Sequence, residues 1–76
     1  MKGEMPFKIG DRVRILDHAF PGSDDPYDIA ARGKTGIVTR NWDELGEGWE
    51  DCWEVEVPEL GDIFPVTESE IELVAP

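Results

Sequence analysis

Few residues in this chain are equipped for chemistry. His18 is the single histidine and Cys52 the single cysteine in 76 residues. Ser23 lies close to His18, but a nucleophile needs its base held within hydrogen-bond reach. Pro21-Gly22-Ser23 is a turn-forming run that gives the hydroxyl no fixed geometry. His18 therefore reads as a surface or loop-packing side chain. Cys52 stands between Asp51 and Trp53, and neighbouring carboxylates keep a thiol protonated and unreactive. Asp24, Asp25 and Asp28, with Asp17 and His18 nearby, supply oxygen atoms. Calcium takes about six to eight of them from a loop that wraps it, and this spacing does not match an EF-hand. A solvated acidic loop is the expectation. Gly33-Lys34-Thr35 resembles the end of a phosphate loop, but the upstream glycine is missing and a strand pattern, not a helix, follows. No catalytic residue, metal-ligand set or cofactor site is assigned, and the chain reads as non-enzymatic.

The elements that must carry any surface are short strands. The central stretch is Gly33 to Arg40, where two glycines three apart lead into Ile37-Val38-Thr39. Such a pattern is a tight turn or bulge feeding a strand. Before it, Arg12 to Leu16 alternates polar and apolar, with Val13 and Ile15 facing inward. After it, Cys52 to Val57 places Trp53, Val55 and Val57 on one face and Cys52, Glu54 and Glu56 on the other. Ile63 to Val66 is a further strand in which Pro65 limits pairing, and Ile71 to Val74 is the last. Between these two, Thr67 and Glu70 have capping-box spacing for one helical turn. The segment from Asp17 to Arg32 is a long irregular loop, with Tyr27 and Ile29 expected to anchor it and one helical turn expected near Ile29. Asn41 to Asp51 is an acidic hairpin loop. Residues 1–8 form a flexible leader from which Phe7 tucks into the core, and residues 9–76 form a single domain.

Charge narrows the partners. Seven basic and eighteen acidic residues give a net charge of −11. Nucleic-acid affinity comes mainly from Lys and Arg neutralising phosphates, so nucleic acid is excluded as a direct ligand. Anionic membrane surfaces are disfavoured for the same reason. No run approaches the roughly 20 apolar residues that span a bilayer. A lone cysteine permits no internal disulfide, which suits a reducing cytoplasm.

The expected fold is all-β: a small five-stranded closed barrel with a long first loop and a helical turn before the last strand. This order resembles an SH3-like barrel. Gly10-Asp11-Arg12-Val13-Arg14 followed by Arg32-Gly33-Lys34-Thr35-Gly36-Ile37-Val38 is similar to the start of the barrel domain in nitrile hydratase β subunits. His18, Pro26 and Tyr27 fall in the intervening loop, where that family places such residues. The variable chain of ferredoxin–thioredoxin reductase and the KOW modules share the Gly-x-x-Gly turn. The likeness covers residues 10–40 well and residues 52–74 in pattern only. Nitrile hydratase β chains carry a large helical portion that has no counterpart here, and RNA-binding KOW modules are basic. In the first two families the barrel chain is a partner subunit, so the resemblance implies an accessory or interaction role.

An SH3-like barrel sets its first loop and its second hairpin loop side by side. Tyr27, Trp42 and Trp49 would then line a shallow groove bordered by Asp43, Glu44 and Glu47, with Asp24, Asp25, Glu50 and Asp51 beyond. Aromatics concentrate at interface centres, and an acidic rim steers a basic protein partner. The alternative is that the tryptophans cap the open end of the barrel. Two further readings stand beside a protein-interaction module. One is an accessory subunit or assembly factor of a metalloenzyme. The other is an acidic nucleic-acid mimic built on Glu54, Glu56, Glu68, Glu70 and Glu72.

Overall fold

A computed structural model describes residues 6–74. Residues 1–5 of the expected leader, and Ala75-Pro76, lie outside the described residues. Strands β1 (Arg12–Ile15), β2 (Thr35–Asn41), β3 (Cys52–Val57), β4 (Asp62–Thr67) and β5 (Ile71–Leu73) form one antiparallel sheet. Their order is β4-β3-β2-β1-β5. A short helix, α1 (Pro26–Ala31), interrupts the first loop, and 3-10 turns occupy Trp42–Leu45 and Glu68–Glu70. The chain is all-β, as its alternating patterns require.

The sheet bends at a bulge in β2 but is not closed, which corrects the expectation of a closed barrel. Strand β5 has three residues and all of them pair with β1. Strand β4 pairs with β3, and Pro65 at its centre has no N–H to offer a further neighbour. The two outer strands therefore remain edges.

The bend has two local causes. Gly36 lies opposite Val13 on the buried face. A Cβ there would lie 2.6 Å from Val55 Cγ1 and would strike the Glu56 carbonyl oxygen, so only glycine lets β2 approach β3 this closely. Three residues on, a register shift between Val38 and Arg40 marks a bulge, which sharpens the twist. Gly33, at φ +82°, makes the left-handed turn that feeds this strand.

The inward faces supply the core. Val13, Ile15, Val38, Trp53, Val55, Val57, Phe64, Val66 and Ile71 are buried together. Phe7 joins them, its ring edge-on to Trp53 at 5.5 Å. Leu73 is 57% exposed. It shares a face with Val13, yet it ends the edge strand, where nothing covers it on the outer side. Ile71, opposite Ile15, fills the interior instead.

The first loop is anchored differently from the expectation as well. Tyr27 and Ile29 are 59% and 47% exposed. Only the last residue of α1, Ala31, is buried, so the first turn of this six-residue helix faces water. Ala19 and Ala31 make the buried contacts, and Phe20 packs on the core with its ring 5.9 Å from Phe64. Arg32 ties the loop by donating Nε to the Ala19 carbonyl at 2.9 Å and Nη2 to the Phe20 carbonyl at 3.0 Å. The Glu70 carboxylate accepts from Phe20 N–H and from Thr67 N–H, so one side chain joins the loop to the capping box.

Candidate functional site

The aromatic loop between β2 and β3 is a built structure. Asn41 organises it: its Oδ1 accepts from Asp43 N–H at 3.0 Å and caps the 3-10 turn. Its Nδ2 donates to the carbonyls of Glu50 at 2.9 Å and Cys52 at 3.1 Å, bridging the two sides of the hairpin. An Asn cap followed by Asp43 and Glu44 in the first turn satisfies the orphan N–H groups and suits the helix dipole. The signal for this turn lies in the sequence Asn41-Trp42-Asp43-Glu44, an N-cap residue with acids in the first turn.

This frame brings Trp42 and Trp49 together, with ring centroids 5.4 Å apart and planes tilted by 46°. Trp42 is half-buried, and Trp49 is 43% exposed. The Trp42 indole donates Nε1–H to Glu54 Oε2 at 2.7 Å. Glu54 sits on β3 between the buried Trp53 and Val55, so Trp42 lies over the outward face of the sheet. Neither tryptophan belongs to the buried core cluster or packs against it. Tyr27 makes no ring contact with either one among the described residues.

The rim is acidic and exposed. Asp43, Glu44 and Glu47 all face water. Glu44 also pairs with Arg40 at 3.1 Å, and Arg40 lies 3.6 Å from Glu54. The Glu44 carboxylate, and more weakly Glu54, hold the guanidinium above its ordinary range. Beside Trp49, Gly48, Glu50 and Asp51 line an open hollow of about 310 Å³. Glu50 Oε2 accepts from Gly48 N–H, which keeps the loop tip folded back.

The other chemistry-bearing residues are placed elsewhere. Burial pushes the Cys52 thiol up, and Asp51, Glu54 and Glu70 add to the effect. His18 shares a 2.8 Å hydrogen bond with the Ser69 carbonyl. Asp25 accepts from Tyr27 N–H as the cap of α1, and Asp28 accepts from the Ser23 hydroxyl at 2.6 Å. No group of three or more His, Cys, Asp or Glu is placed to hold a metal ion among the described residues. Nor is any helix among them long and apolar enough to cross a membrane.

Comparison with models of known families, with curated proteins and with solved structures found no match to this chain.

Proposed function

We propose that this chain is a non-enzymatic, SH3-like interaction module that binds a basic protein segment on the Trp42–Trp49 pair. The observation that carries the reading is a tilted pair of contacting tryptophans held on the outer face, off the core, within a carboxylate rim. An aromatic surface that contributes nothing to the interior needs another reason for its rigid support. Asn41 and Glu54 supply that support through three side-chain bonds to the hairpin backbone and one to the Trp42 indole. Tryptophan is enriched at binding hot spots, and its face attracts Lys and Arg. The net charge of −11 favours a basic partner and opposes nucleic acid. The single thiol of Cys52 suits a reducing cytoplasm. The site is proposed on the tryptophans alone, since Tyr27 makes no ring contact with them among the described residues.

Titrating tryptophan fluorescence with a Lys/Arg-rich peptide tests the reading, with an acidic peptide as control. Trp49→Ala should weaken binding by about 2 kcal/mol, the size of a hot-spot truncation, or roughly 30-fold. Both alanine variants keep the full acidic charge. Unchanged affinity in Trp42→Ala and Trp49→Ala would leave only charge attraction and remove the proposed site.

A further inference from the structure

A second surface lies on the outer face of the sheet where β1 and β2 run side by side. A hollow of about 400 Å³ opens there. Ile37, Pro58 and Val74 make its apolar walls, and Arg12, Thr35 and Glu59 stand at its rim. Arg12 is directly opposite Ile37, so both side chains project outward from the same face. Arg14 is committed to Glu72 at 2.9 Å, and Lys34 to Glu59 at 3.2 Å. Arg12 has no carboxylate partner among the described residues. Glu56, opposite Ile37 on β3, also borders this face. Of the basic residues near this face, Arg12 alone lines the hollow, Arg14 and Lys34 being paired with glutamates.

We propose that this hollow takes the C-terminal apolar residue of a partner polypeptide, its α-carboxylate on Arg12 and its side chain against Ile37, Pro58 and Val74. The guanidinium fork matches a carboxylate through two parallel hydrogen bonds. Beside an apolar wall it favours a carboxylate that carries an apolar group. Thr35 adds a hydroxyl at the same rim. The lining residues Arg12, Thr35, Pro58 and Glu59 are exposed, so the hollow is open. A small acid would leave much of its own surface in water there, whereas deep sites for small ligands bury most of it. A chain end inserts only its last residue and is held near by the rest of the partner. Neither Trp42 nor Trp49 lines this hollow, so the inference is independent of the aromatic site.

The test is a nitrogen-15 NMR titration with acetyl-Ala-Ala-Leu as the free acid, its C-terminal amide, and N-acetylleucine. The free acid should give saturable shifts at the amides of Thr35, Ile37 and Val74. Amidation should weaken binding about tenfold, the value of one charge-assisted hydrogen bond, and Arg12→Gln should do the same. Trp49→Ala should leave this binding unchanged. Equal affinity for acid and amide overturns the proposal without recourse to any variant, as does the absence of saturable shifts in the millimolar range. An Arg12→Gln protein that keeps its dispersed spectrum and binds as before overturns it too. If N-acetylleucine binds as tightly as the tripeptide, the ligand is a small acid and the chain-end assignment falls.

Discussion

Gly36→Ala is the sharpest test of how this sheet bends. The added methyl carbon would lie 2.6 Å from Val55 Cγ1, where carbon atoms prefer about 3.5–4.0 Å. Rotation of Val55 does not solve the problem, because the Glu56 carbonyl oxygen is in the way as well. Strand β2 must therefore lift from β3 by about 1 Å at its bend, which loosens the ladder on both sides. Overpacking of this kind costs about 1–3 kcal/mol. The variant regains about 0.4–1 kcal/mol from the stiffer unfolded chain, but the lost ladder contacts offset that gain. Gly33→Ala is the control. Its φ of +82° strains alanine by roughly 1–2 kcal/mol, yet the nearest atom, Asp17 Oδ1, is 3.9 Å away. After the same unfolded-state gain, its net cost is about 1 kcal/mol or less. A domain of this size has a stability of roughly 4–11 kcal/mol, and each kcal/mol moves its midpoint by about 4–8 °C. Gly36→Ala should lower Tm by about 4–24 °C, and Gly33→Ala by less. Thermal unfolding followed by far-ultraviolet circular dichroism measures both. A Gly36→Ala protein as stable as the parent, or more stable than Gly33→Ala, would refute the close-approach argument.

Asn41→Ala should cost about 1–2 kcal/mol, because it removes the cap and leaves the Glu50 and Cys52 carbonyls without their donor. The near-ultraviolet circular dichroism of the Trp42–Trp49 pair should fall while the far-ultraviolet spectrum is kept. Cys52 has its thiol pKa raised, so at pH 8 it should hold less thiolate and react with iodoacetamide more slowly than an unperturbed thiol. Raising the pH should close that gap. Asp51→Asn should speed the reaction less than unfolding in urea does, because burial is the larger cause and Asp51 the second.

Local pattern determined much of this molecule. Period-two alternation places Val13, Ile15, Trp53, Val55 and Val57 inside from sequence alone, since successive strand residues face opposite sides. The capping box at Thr67 and Glu70 was equally legible, because both of its bonds lie within four residues. Phe7 in the core was also anticipated. Tertiary structure decided what depends on register and on chain ends. A three-residue β5 spends its pairing on β1, so the sheet stays open and Ile71, not Leu73, reaches the interior. Tyr27 is left in water because α1 meets the body only at its last residue, Ala31, and Tyr27 lies in its first turn. The Trp42–Trp49 contact joins residues on opposite sides of a loop, and Glu54 fixes it from a different strand. Spacing along the chain states which residues are available. Which of them meet is set by how far a bent sheet and a capped loop fold the backbone back on itself, and that distance is not a property of any short stretch.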